Sequence, residues 1–346
     1  METKGRRNRI KYFLLDTTRD LFNLGRGRSK HADMQESYEK YETRETKAIY
    51  SYSTYNRYET VVCKFADFLR DEMGVKYERD FRRLSEDELY YCIDQYFQKQ
   101  VEEGLAQNTL EIHISCLHKI LGEIKPEIRE YFTPEARERW RDGIPQGDND
   151  RYNDSQKIIE NLYRINEESG VIAELQKLTG SRVGDVKKIQ IDEEHQRVFI
   201  EGSKGGRDRF IYYDRDEFKE QFERVKELKE KLDKILEEKS YSDIREQYYD
   251  DLRRATRKAE EPYHGSHPFR YEFAQSRYEV IKEWDKQEQL EYYKRILEDR
   301  GKSEKDIKEA MKSVIERDVI AEAVISEELG HSRIDISLHY LKLRRK

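Results

Sequence analysis

Cysteine is scarce in this chain: Cys63, Cys92 and Cys116 are the only three. They are odd in number, far apart and never in a Cys-x-x-Cys pair. That pattern argues against a disulfide framework and against a zinc site, and it leaves buried free thiols. Long apolar runs are missing as well. Nothing approaches the length needed to cross a bilayer, and Met-Glu-Thr-Lys-Gly-Arg-Arg at the start lacks the apolar segment of a secretion signal. The expected location is the cytoplasm. There is no internal repeat, and no group of carboxylates has the spacing of a two-metal nuclease.

A surplus of one charge sign is also absent, with 67 Lys and Arg against 73 Asp and Glu and a net charge of −6. That balance still leaves ample material for a basic face, so it decides little about nucleic-acid binding. Charged residues make up 40% of the chain and hydrophobic ones 36%, but 25 tyrosines and regularly spaced Leu, Ile and Val exclude wholesale disorder.

At 346 residues the chain has room for two domains of ordinary size. Residues 1–46, with Gly-Arg-Gly-Arg-Ser-Lys at 25–30, read as a basic, mobile arm holding at most one short helix around Tyr12 to Phe22. Residues 47–143 show the 3.6-residue period of helices: Tyr58, Val61, Val62, Phe65, Phe68 and Leu69 share one face. Ser85-Glu-Asp-Glu looks like a capped start, Asn108-Thr109 opens a further helix, and Thr133-Pro134 marks another near Trp140.

Gly143-Ile-Pro-Gln-Gly-Asp-Asn-Asp has the composition of an exposed linker, placed at 144–153. Within residues 154–346, alternating segments at Lys188–Ile191, Arg197–Glu201 and Arg209–Tyr213 predict a small antiparallel sheet with a glycine-rich hairpin, Gly202-Ser-Lys-Gly-Gly-Arg. The expected fold class is therefore mostly α with one small antiparallel β-sheet. A highly charged stretch at about 282–318 predicts a helical hairpin around Gly301, solvated on its outer face.

Attack on a phosphodiester needs a nucleophile held in line, cations around the non-bridging oxygens and an acid for the leaving oxygen. Thr179-Gly-Ser-Arg-Val-Gly-Asp places Arg182 after a tight turn with Asp185 three positions on, able to hold the guanidinium. Lys204 occupies the hairpin tip, with Lys187, Lys188 and Arg207 as rivals for its role. His267-Pro-Phe-Arg270 joins an imidazole to a guanidinium, and Leu329-Gly-His331 is followed nine positions on by Tyr340. Each of these alone reads more simply as a cap, a solvated lysine, a loop histidine or one of many tyrosines. Their order is what carries information.

That ordered set resembles the phage-integrase and Xer-type tyrosine recombinase family, from about Tyr50 to the chain's end. The resemblance implies a helical, SAM-like core-binding domain followed by an α+β catalytic domain, the two forming a C-shaped clamp on duplex DNA. It implies that Arg182 and Arg270 clamp the scissile phosphate, that His331 adds a hydrogen bond, that His267 assists proton transfer and that Asp185 orders the site. Lys204 is implied as the acid for the departing 5′ oxygen and Tyr340 as the nucleophile giving a 3′-phosphotyrosyl intermediate. Neither metal, ATP nor any other cofactor is implied. The implied partners are specific DNA sites, three further copies in a tetramer on two sites, and an accessory DNA-bending protein. Integration or excision of a mobile element such as a virus or plasmid is the expected role. The alternatives are a Xer-like dimer resolvase, a type IB topoisomerase and an inactive DNA-binding relative.

Two departures from the family are visible. Arg270 and His331 lie farther apart than in compact members, so the charged segment at 282–318 reads as an inserted protrusion touching a neighbouring subunit or flanking DNA. The few residues after Tyr340 raise the expectation that the insertion replaces an exchanged C-terminal helix, or that the helix bearing Tyr340 is itself donated in trans.

Overall fold

The computed structural model describes residues 9–42, 46–142, 144, 151–203, 206–331 and 334–341. The chain divides into two compact units, residues 1–148 and 149–346. Most of the segment expected as a linker, and the hairpin tip with Lys204, lie outside the described residues.

The first unit is helical: α1 (Ile10–Gly25), α2 (Lys30–Tyr41), α3 (Tyr52–Asp71), α4 (Glu78–Arg83), α5 (Glu86–Glu102), α6 (Gln107–Ile124) and α7 (Pro134–Arg141). The face expected on α3 is the one that is buried, with Val62, Phe65 and Leu69 fully enclosed. Ser85 caps α5 through a reciprocal pair with Glu88, and Thr133 accepts from the Ala136 amide at the start of α7. At α6 the cap position falls on Ala106, ahead of Asn108.

The reading of residues 1–46 as a mobile arm is corrected here. Ile10, Leu14, Leu21 and Phe22 of α1 are buried in the core of this unit, and burying such side chains contributes about 1.5–3 kcal/mol each. Their spacing follows the helical period, and that driving force outweighs the nearby Gly-Arg-Gly-Arg. Ser29 then caps α2.

The second unit holds α8 (Ser155–Ile165), α9 (Glu167–Thr179), strands β1 (Ile189–Asp192), β2 (Arg197–Ser203) and β3 (Arg207–Tyr212), α10 (Lys219–Glu238), α11 (Tyr241–Ala259), α12 (His267–Ile281), α13 (Lys286–Asp299), α14 (Glu304–Glu316), α15 (Ile320–Glu328) and α16 (Ile334–Leu341). The sheet is antiparallel in the order β1-β2-β3, with Ile189 opposite Ile200 and Val198 opposite Ile211. No described helix is long and apolar enough to cross a membrane.

The charged stretch does form a helical hairpin, α13 and α14, turning at Gly301. It is not a protrusion. Tyr292, Tyr293, Ile296 and Leu297 are buried in the core of the second unit. The Tyr292 hydroxyl accepts from Arg277 at 2.6 Å and donates to Glu328 at 2.7 Å. Arg277 and Glu328 are both fully buried and paired, and Arg277 also donates to the Tyr212 carbonyl. Burial opposes the charged Arg277, but Glu328 more than offsets it and holds the guanidinium's pKa above its ordinary value. The hairpin is therefore bonded to both α12 and α15.

Candidate active site

Helix α9 ends at Gly180, which takes the left-handed conformation (φ +56°) and lies so close to the Phe273 ring that an added Cβ would clash. Only glycine serves there. The turn is locked from inside: Ser181 donates its amide to the Thr179 hydroxyl, and Gln176 donates to the Ser181 carbonyl. Arg182 follows in extended conformation. Its Nη1 donates to Ser203 Oγ at 3.0 Å, and Ser203 Oγ donates to Asp185 at 2.7 Å. Asp185 itself lies 3.8 Å from Arg182.

Ser203 reaches this position through a bulge in β2 between Ile200 and Ser203. Before it, Val198 and Ile200 point inward; after it the alternation shifts and Ser203 is buried. The bulge thus fixes the end of β2, Ser203, to the Arg182–Asp185 pair. Lys204 lies outside the described residues. Of its rivals, Lys188 donates to the Gly202 carbonyl at 2.7 Å, Lys187 sits over the Tyr241 ring, and Arg207 lies 3.5 Å from the Gly330 carbonyl.

Arg270 is completely buried on the first turns of α12. It donates through Nη1 to the Gly180 carbonyl and through Nη2 to the Leu329 carbonyl, so one planar group ties the Arg182 turn to the His331 turn. Burial pushes its guanidinium down to about 10, which still leaves it cationic at neutral pH. Its Nε has no hydrogen-bond partner among the described atoms.

His331 follows a glycine-capped helix end. Gly330 has φ +72°, and the amides of Gly330 and His331 donate to Glu327 and Ser326. The His331 Nε2 accepts from Arg270 at 3.3 Å. Burial, followed by Arg270, Arg182, Arg209 and Arg207, pushes its pKa down to about 3, so the imidazole is neutral.

Tyr340, on α16, is 5% exposed and enters the site of its own chain. Its hydroxyl lies 2.8 Å from Nε2 of His267. Its ring packs 4.6 Å from that of Tyr271 and 5.4 Å from that of His331, with the Arg270 guanidinium 5.6 Å away. Arg151, at the start of the unit, donates to the Tyr340 carbonyl at 2.7 Å and stacks on Tyr271.

Six of the seven residues singled out in the sequence thus converge: Arg182, Asp185, His267, Arg270, His331 and Tyr340. Ser203, Arg209 and Arg151 were not foreseen, because their partners, Arg182 and Asp185 for Ser203 and backbone carbonyls for the two arginines, lie far away in sequence. His264, three residues before His267, packs on Tyr152. Among the described residues no cluster of histidine, cysteine and carboxylate could hold a metal ion. What the site offers is a phenol beside an imidazole, and a group of guanidiniums with Asp185 beside Arg182. Such a pocket suits an anion with several oxygens.

No family model matches the chain, and no curated protein matches it in sequence. Among solved structures it is similar to a lambda integrase fragment, a dimer bound to a COC' core site, with TM-score 0.50 and 13% identity over 91% of this chain and 96% of that one. A lambda integrase tetramer bound to a Holliday junction matches at TM-score 0.49 and 13% identity, covering 91% of this chain and 78% of that one. XerA recombinase matches at 0.34 and 15%, covering 91% and 94%. The first likeness establishes the fold: helical, with one small antiparallel sheet, as in the tyrosine recombinase lambda integrase.

Proposed function

We propose that this chain, which carries the lambda integrase fold, is a site-specific DNA recombinase that cuts and rejoins strands through a covalent bond between Tyr340 and a DNA phosphate. The observation that carries the reading is the 2.8 Å approach of the Tyr340 hydroxyl to His267 Nε2 beside Arg270, Arg182 and His331.

The phenol gives its proton to the His267 imidazole as its oxygen attacks phosphorus. Charge grows on the non-bridging oxygens, where Arg182 and Arg270 supply paired N–H donors and neutral His331 supplies one more. The bond between phosphorus and the 5′ oxygen breaks, and Lys204 protonates that oxygen. The product is a 3′-phosphotyrosyl linkage and a free 5′ hydroxyl. Attack by a 5′ hydroxyl from a partner strand reverses the sequence, with the energy of the phosphodiester retained in the linkage.

Exchange between two duplexes breaks four strands, so four tyrosines are needed, and a tetramer on two sites is the working assembly of this reading. Integration or excision of a mobile element is the role we assign to it, with an accessory DNA-bending protein as its helper at the sites. The test uses a nicked DNA substrate whose cut fragment diffuses away, followed on a denaturing gel. A covalent adduct is expected with the wild-type chain and none with Tyr340→Phe. An adduct of undiminished yield in Tyr340→Phe would refute the assignment.

A further inference from the structure

We propose that Arg209 is a positioning residue of the anion site, a third buried guanidinium that sets the spacing between the turn carrying Arg182 and the turn carrying His331. The inference rests on the reading of that site as a phosphate-binding centre and deepens it.

Arg209 lies on β3 and is completely buried. Its Nε donates to the Glu328 carbonyl at 2.7 Å and its Nη2 to the Thr179 carbonyl at 2.9 Å. Arg270 makes the neighbouring pair of bonds, to the carbonyls of Gly180 and Leu329. Two guanidinium groups from different elements thus rung the same two backbone segments together, one residue apart on each. Gly330 completes the fit, since a Cβ there would press on the Arg209 side chain at 3.0 Å.

The charge environment separates Arg209 from an ordinary structural arginine. Arg277 is equally buried, and it has the Glu328 carboxylate as its counter-ion. Among the described residues no carboxylate lies within ion-pair distance of Arg209, and its Nη1 has no hydrogen-bond partner. Burial, then the cations Arg270 and Arg182, push its pKa well below the ordinary arginine value. A buried cation facing other cations is costly in the resting chain. The cost is relieved when an anion enters, which makes the arrangement intelligible at a phosphate site and unprofitable anywhere else. Arg209 acts through the groups it aligns and through its field on the incoming phosphate.

The experiment compares Arg209→Met and Arg209→Lys in the full chain, each checked for folding by circular dichroism. His331 is the internal reporter, read by NMR titration of its ring without DNA. The groups facing it are Arg270 from α12, Arg182 from the turn after α9, Arg207 and Arg209 from β3, and Tyr340 from α16; on its own turn Glu328 is held by Arg277. In Arg209→Met the His331 midpoint is expected to rise by about one pH unit, and adduct formation at saturating DNA is expected to slow about 100-fold with affinity for DNA held within about threefold. In Arg209→Lys the midpoint is expected to stay while adduct formation still slows, because the charge survives and the two-carbonyl bridge does not.

An unmoved His331 midpoint in folded Arg209→Met, or a wild-type cleavage rate in Arg209→Lys, overturns the proposal. If the wild-type chain forms no adduct on any DNA, the recombinase reading falls by itself. Inorganic phosphate then serves as the probe, with weaker binding by Arg209→Met supporting the role of Arg209 and equal binding overturning it.

Discussion

The hydroxyl of Tyr340 and Nε2 of His267 stand 2.8 Å apart although 73 residues separate them in the chain. On the proposed function, a phenol held against an imidazole has its proton acceptor in place without DNA. His267→Gln keeps a polar group of similar reach and removes the base. Adduct formation is expected to fall about 100-fold while DNA affinity changes by less than about threefold. A rate within twofold of wild type, measured under single-turnover conditions, would remove His267 from the mechanism.

On the proposed function, the same contact favours cleavage in cis over donation in trans. Tyr340 fills the pocket of its own chain, with its ring on Tyr271 and its carbonyl held by Arg151. Cleavage in cis is the expected outcome. A mixture of Arg182→Ala and Tyr340→Phe chains, each inactive alone, is expected to remain inactive, and recovery of adduct in the mixture would establish donation in trans.

His331 gives the site a pH signature. Its pKa in the folded chain is about 3 against an ordinary value of 6.5. Above pH 6.5 the group is neutral in both folded and unfolded chains and contributes no pH dependence. As pH falls from 6.5 toward 3 the unfolded chain takes up the proton and the folded chain does not, so stability declines across that window. Solvent screening tempers the effect to about 1 kcal/mol at pH 5. Urea melts at pH 7 and pH 5 are expected to show a smaller loss for His331→Gln than for wild type; equal losses would mean that the imidazole is not held neutral.

The buried pair Arg277 and Glu328 is expected to behave as a structural keystone. Glu328→Gln leaves a guanidinium unpaired in the core and is expected to cost about 3–5 kcal/mol in urea unfolding. Tyr292 on α13 bonds to both partners. Deleting residues 286–316 is therefore expected to unfold the second unit, whereas the sequence alone suggested an inserted protrusion that serves contacts with a neighbouring subunit or flanking DNA. A folded deletion variant, judged by its far-UV spectrum and a cooperative melt, would contradict this.

Much of the site could be read from the sequence because short motifs place chemistry at fixed intervals. Arg182 and Asp185 lie three residues apart, as do His267 and Arg270, so local geometry alone brings each pair together. The sheet was legible from its alternation, and α3 and α5 from their period and cap. Burial of charge was not legible. Arg209, Arg277 and Glu328 look like solvated surface in a chain so rich in charge, and only the tertiary fold supplies the carbonyls and the carboxylate that meet them. The segment 282–318 was misjudged for the same reason: its glutamates and lysines advertise solvent, while Tyr292, Tyr293, Ile296 and Leu297 lie beneath them. In the first residues the apolar series Ile10, Leu14, Leu21 and Phe22 was available but was outweighed by the glycines and arginines that follow it.

The bond from Arg151 to the carbonyl of Tyr340 joins the first described residue of the second unit to its last described helix, 189 positions on. Mechanically, that unit is a closed loop. Tension applied across that loop would load this guanidinium bond, and with it the helix that carries Tyr340.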